Sequence, residues 1–265
     1  MRAFILGTTI VLVLTAGATA QIDFSDNFDD GNIDDWNLVD VIGFATGEPH
    51  AEISVVDGTV RINAPPVPSP ELAPAAAAID RLGSLHFTDF EISVDVVENN
   101  SGVDGFSGIA GRVHAPFVGY GFSFAEVQGD IAPGNHVVSI ARGDPGVPAT
   151  VLAEVFLDDL PRDNVRLVFR GEGSTLSGEL VSLSDLSTPL VSLTAEDATY
   201  TEGGNGIFVF GGSPAPPNPP NFASFGNARF DNNSLIAVPE PWSLVMIAPC
   251  LLSLLLRRSR KLFLN

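Results

Sequence analysis

From residue 21 to 237 apolar and polar residues alternate over short runs, each closed by Gly, Pro, Asn or Asp. Nowhere do apolar residues recur at helical spacing over a useful length. A period of two belongs to a strand with one face in a core, so the pattern confines this part of the chain to β-structure. The clearest unit is Ile53-Ser54-Val55-Val56, Asp57-Gly58, Thr59-Val60-Arg61-Ile62. Asp-Gly suits the two positive φ values of a type I′ hairpin turn.

The same pattern predicts strands at Ile22 to Phe28, Ala76 to Leu82, Phe87 to Val97, Gly108 to His114, Gly119 to Val127, Val137 to Arg142 and Ala149 to Phe156. It continues at Asn164 to Arg170, Thr175 to Ser182, Leu190 to Ala195, Gly206 to Phe210 and Ala223 to Phe230. About a dozen short antiparallel strands bury their apolar faces most simply as two sheets packed face to face. The expected fold class is therefore all-β, a two-sheet antiparallel sandwich. Ala64 to Pro74 and Ser213 to Asn221 interrupt the rhythm with prolines and read as polyproline loops at the rim, because strand-like sequence resumes after each.

Charge narrows the partners. Residues 21 to 239 hold 31 acids and eight Arg, so their net charge is 8 − 31 = −23, against −19 for the whole chain. Nucleic acid and anionic lipid surfaces require a positive field and are disfavoured as partners, with no nucleic acid expected, whereas divalent cations fit. The single cysteine, Cys250, lies outside this region, so neither disulfides nor thiol chemistry serve it.

Both ends carry targeting features. Arg2, the apolar run Phe4 to Leu14 and the small residues Ala18-Thr19-Ala20 form a signal peptide over residues 1–20. The far end, 238–265, joins Pro239-Glu240-Pro241, an uncharged apolar run from Trp242 to Leu256 and the basic cluster Arg257, Arg258, Arg260 and Lys261. As a helix that run rises about 22 Å against roughly 30 Å of hydrocarbon, enough to stall in a membrane and short for a permanent anchor. The cations stay on the cytoplasmic side, so the preceding domain lies outside. An ordinary short C-terminal membrane helix would share these properties.

Tripeptide, short apolar helix and basic end, in this order, resemble the PEP-CTERM sorting signal of bacteria. The resemblance implies export, transient retention in the inner membrane and processing by an exosortase, commonly in cells that make extracellular polysaccharide. Leu262-Phe263-Leu264-Asn265, after the basic cluster, departs from the pattern. The resemblance covers the tail alone and leaves 21–237 as the domain to be explained.

That domain opens F-S-D-N-F-D-D-G-N-I-D-D-W and closes F-G-N-A-R-F-D-N-N-S-L. These ends are similar to those of concanavalin A-like, laminin-G-like jelly rolls, which implies first and last strands that pair and twelve to fourteen strands in two sheets. The superfamily holds lectins, glycosidases and inert modules alike.

Three candidate sites follow. Asp26, Asp29, Asp30, Asp34 and Asp35 crowd the opening segment, and Asp231 joins them if the terminal strands pair. Calcium takes six to eight hard oxygens, so Asp26, Asp29 and Asp231 are its candidate ligands; a solvated acidic loop is the alternative. Second, Phe90 to Glu98 is comparable with the E-x-D-x-x-E strand of laminarinase-like glycosidases. Asp95 and Glu98 match its second and third acids, but Ser93 stands where the nucleophilic Glu belongs, and a serine cannot take that role. Periodicity instead makes Glu91, Ser93 and Asp95 one solvated strand face. Third, Trp36 and Tyr120, with Asp95 and Glu98, are the available sugar-binding residues, although Tyr120, Phe122 and Phe124 also fit an inward core face. His50, His86, His114 and His136 lack metal-binding spacing, and no nucleophile elbow or P-loop occurs. The expected function is therefore an exported, exosortase-processed, non-catalytic envelope or matrix protein with exopolysaccharide as its candidate associate, and a carbohydrate-binding module or glycoside hydrolase is the alternative.

Overall fold

The computed structural model describes residues 22–34, 36–40, 51–65, 75–80, 87–102, 105–115, 117–127, 135–211 and 226–239. They form strands β1 (Ile22–Asp26), β2 (Trp36–Asp40), β3 (Glu52–Val56), β4 (Thr59–Ala64), β5 (Ala75–Asp80), β6 (Phe87–Asn99), β7 (Gly105–Ala115) and β8 (Val118–Glu126). The series continues with β9 (His136–Gly143), β10 (Thr150–Leu157), β11 (Val165–Glu172), β12 (Thr175–Ser182), β13 (Asp185–Glu196), β14 (Gly204–Gly211) and β15 (Gly226–Pro239). No helix occurs among the described residues. The signal peptide, Glu240, Pro241, the apolar run and the basic cluster lie outside them, as do the two proline loops beyond Pro65.

One sheet runs β13-β12-β11-β6-β15-β4-β3, with β1 also paired to β15; the other runs β10-β9-β8-β7-β14-β5-β2. All pairs are antiparallel. The core lies between the sheets, with Ile92, Val94, Leu167, Phe169 and Leu235 from the first and Ile109, Phe122, Val138, Ile140, Ile207 and Val209 from the second, all fully buried. Phe122 stacks on Phe169 across the interface at 6.1 Å between centroids. Room for that ring comes from Gly178, where a Cβ would stand 2.3 Å from the Phe122 ring.

The predicted hairpin forms as β3–β4, with Asp57 at φ 52° and Gly58 at φ 72°, both in the region a type I′ turn demands. Tyr120, Phe122 and Phe124 all point inward, at 1 % exposure or less. Two features depart from the expected pattern. β2 went unpredicted, because five residues after an acidic loop carry too little alternation to read. β15 continues nine residues beyond Phe230, through an Asp-Asn-Asn sequence that locally favours a turn. A bulge absorbs it: the register with β6 shifts between Asp231 and Ser234, and Asn232 adopts φ 49°. The strand thus ends on Pro239, paired with Phe87, so the sheet reaches the first residue of the tripeptide.

A candidate polar site where the first and last strands meet

β15 is flanked along most of its length by β6 on one side, while two short strands share its other side: β4 beside Gly226–Phe230 and β1 beside Asn233–Ala237. The pairing of opening and closing segments is therefore as expected. In this register Ser25 of β1 opposes Ser234 of β15, which opposes Ser93 of β6. Ile92 and Val94 point into the core, so the three serines share the outer face of the sheet. Directly opposed residues stand about 5 Å apart, which makes a row of hydroxyls across three strands.

Longer side chains rise beside this row. Arg166 of β11 donates to Asp95 through Nε at 2.6 Å and a terminal nitrogen at 2.9 Å, and Asn232 Nδ2 donates to the same carboxylate at 2.9 Å. The result is an open cleft of about 600 Å³. Its lining comes from Ser25, Asp26 and Asn27 at the first strand, Asn232 to Ser234 on the last, and Ser93 and Arg166. Asn233 is 1 % exposed, and neither of its side-chain polar atoms has a hydrogen-bond partner among the described residues.

Ion pairs lie elsewhere on this outer face. Arg170 bridges Glu91 at 2.5 Å and Glu179 at 2.8 Å, so three adjacent strands are tied by one guanidinium. Arg229 reaches Glu98 at 3.2 Å. Hydrogen bonds from the Asn100 amide and then from Arg229 hold the Glu98 carboxyl below its ordinary range.

The predicted residues fall as follows. Both carboxylate oxygens of Asp26 are engaged: one accepts from the Phe28 amide at 2.8 Å and the other from Trp36 Nε1 at 2.7 Å. Asp29 accepts from Asn27 Nδ2 at 2.7 Å and lies against the hairpin turn at Gly58. Burial raises the pKa of Asp231, and the charges of Asp95 and Asp29 add to the rise. Among the described residues, however, no three His, Cys, Asp or Glu side chains are grouped to hold a metal ion. The expectation that Asp95 lies on a solvated face is corrected: Asp95 is 3 % exposed, because Arg166 and Asn232 close over it. Trp36 and Tyr120 do not present rings to solvent either. Trp36, 6 % exposed, packs on Phe28 at 5.7 Å, and Tyr120 is 1 % exposed.

Tyr120 belongs instead to a network at one end of the sandwich that sequence reasoning missed. Its hydroxyl donates to Asp197 at 2.6 Å, and Arg142 reaches Asp197 at 2.5 Å and Asp144 at 2.9 Å. Tyr200 donates to Asp144 at 2.9 Å, so the turn after β13 is fastened over the sheet ends. Burial, followed by the bond to Asp197, pushes the Tyr120 hydroxyl up to about 12. Burial alone would raise Asp197, but bonds from Tyr120, Thr199 and Arg142 outweigh it and bring the carboxyl down to about 2. The serine row was equally unforeseen; the only signal for it was the placement of Ser93 between Glu91 and Asp95.

No protein-family model and no curated protein matches the chain. Solved structures do. The carbohydrate-binding module CBM66 from Bacillus subtilis is similar with 14 % identity and a TM-score of 0.51, over 77 % of this chain and 96 % of that one. The Man2- and Ca2+-bound exoplasmic/lumenal domain of VIP36 shares 11 % identity with a TM-score of 0.52, over 80 % and 87 %. Winged bean acidic lectin, complexed with methyl-α-D-galactose, shares 10 % identity with a TM-score of 0.53, over 83 % of this chain and all of that one. At such identities the likeness establishes architecture alone: the domain has the two-sheet jelly-roll fold that these lectin and carbohydrate-binding domains share.

Proposed function

We propose that this chain is an exported protein whose sandwich binds carbohydrate without hydrolysing it. The observation that carries this reading is the state of Asp95 and Glu98. A retaining glycosidase needs a free attacking carboxylate and a protonated partner about 5 Å away. Here Asp95 is buried beneath Arg166 and Asn232, and Glu98 is stabilised as an anion by Asn100 and Arg229. Such an outer face offers fixed hydrogen-bonding groups around a cleft, which suits recognition of hydroxyls. The named carbohydrate-binding neighbours, with the same architecture, support the reading.

In this reading residues 1–20 direct export, and 238–265 retain the protein in the inner membrane until an exosortase processes it at or near Pro239-Glu240-Pro241. Its destination is the cell envelope or an exopolysaccharide matrix. Calcium is the ion best suited to assist, through Asp29 and Asp231, the acids left after Asp26 is spent on Trp36 and Phe28.

The full chain, purified in detergent, is tested on a glycan array and in a polysaccharide hydrolysis screen. Reproducible binding without release of reducing ends is expected. Turnover overturns the non-catalytic half of the proposal, and failure to bind any glycan overturns the other. Fractionation of cells carrying an epitope in the exposed turn around Gly146 should place the protein in the membrane or envelope; a cytosolic location would reject export.

A further inference from the structure

We infer that the serine row in the cleft is the subsite for a neutral pyranose and that its occupant ties the first strand to the last. This rests on the carbohydrate-binding reading and goes beyond it by naming the site, the class of sugar and the consequence for the fold.

The geometry argues for hydroxyl recognition. Ser25, Ser234 and Ser93 come from three strands whose pairing fixes them in line, so little side-chain entropy is lost on binding. Each hydroxyl both donates and accepts, which matches the sugar hydroxyl itself. A cleft of about 600 Å³ lies within the range of small-ligand sites.

Charge selects the class. Two bonds to Asp95 pair off Arg166, so the described residues of the cleft offer no spare cation to a carboxylated or sulfated sugar. Both oxygens of Asp26 are likewise engaged. Around the cleft the domain carries a large excess of acids, and an anionic polymer would be repelled before contact. A neutral sugar meets neither obstacle.

The site is also shared between the chain ends. β1 supplies Ser25 and is held to the body by its pairing with β15, by Phe24 against Trp36, and by the Asp26–Trp36 bond. A ligand that spans Ser25 and Ser234 binds only where β1 is seated, so binding and seating favour each other by the same factor.

The experiment uses the full chain in detergent with mannohexaose, cellohexaose, laminarihexaose and oligogalacturonate as probes. Calorimetry should find at least one neutral hexasaccharide that binds and an oligogalacturonate affinity at least tenfold weaker. Ser234→Trp, and independently Ser25→Trp on the exposed edge strand, fill the row and should each weaken neutral binding tenfold or more while melting stays within two or three degrees of the parent. Hydrogen exchange of the β1 amides should slow severalfold in saturating sugar. Glycan binding that survives both variants overturns the site and leaves the general reading standing. Equal binding of oligogalacturonate overturns the class, and unchanged β1 exchange at saturation overturns the linkage. Absence of binding to every probe, with an array that is also blank, removes the general reading and the site together.

Discussion

Asp231 of β15 stands directly opposite Asp95 of β6, two carboxylates in register on one sheet face. Arg166 and Asn232 attend to Asp95, whereas Asp231 accepts, among the described residues, only the Asn232 amide at 2.7 Å. Opposed like charges cost up to about 1 kcal/mol, so Asp231→Asn should raise the melting temperature by roughly 2–4 °C at pH 7. The folded pKa of Asp231 is raised, which means its contribution to stability is present below the unfolded value and lost as pH rises through the folded one. The advantage of the Asn variant should therefore vanish near pH 3.5. Melting curves at both pH values check this, and a gain that persists in acid contradicts it. Calcium should raise the melting temperature of the parent more than that of the variant, and a chelator should reverse the rise.

Asp197 is shifted the other way, down to about 2, with its side chain 11 % exposed. A depressed carboxyl contributes stability above its unfolded pKa and loses it as pH falls through the folded value, here between about pH 4 and 2. The contribution is on the order of 1–2 kcal/mol. Asp197→Ala should cost at least that at pH 7, because it also strips partners from the buried Tyr120 hydroxyl and Arg142. Denaturant titrations at pH 7 and pH 2.5 should show a penalty that shrinks in acid.

Gly178 is required by a side chain rather than by its backbone. An added Cβ would stand 2.3 Å from Phe122, which is itself stacked on Phe169. Gly178→Ala should destabilise by about 1–3 kcal/mol through overpacking, and Phe122→Leu in the same chain should recover part of the loss. A double-mutant cycle in denaturant measures the coupling; simple additivity would mean that the contact is not the cause.

The tail makes a cellular prediction. If the tail is the proposed sorting signal, replacing Glu240 changes its tripeptide and deleting Trp242 to Lys261 removes its apolar run, so each should alter mature mass or compartment. β15 holds Pro239 beside Phe87, so the tripeptide begins where the sheet ends, with no spacer between. Two variants with the same mass and compartment as the parent would reject the sorting reading.

Local rules made much of this fold legible. Alternation depends on successive residues taking opposite faces, so it located most strands and turned Tyr120, Phe122 and Phe124 inward correctly. Asp57-Gly58 declared its turn because two adjacent positive φ values favour that pair. Pairing is a different kind of fact. Ser25, Ser234 and Ser93 share a row only because β1 and β6 flank β15 in one register, and a slip of one residue would send every serine to the other face. Asp95 is buried because Arg166, 71 residues away in sequence, lies across it, and because a bulge swings Asn232 onto its second oxygen. The period of two determined that there would be a sandwich with polar outer faces. Which polar groups meet on those faces was decided by strand register and by one bulge, and these depend on the packing of whole strands rather than on neighbours in the chain.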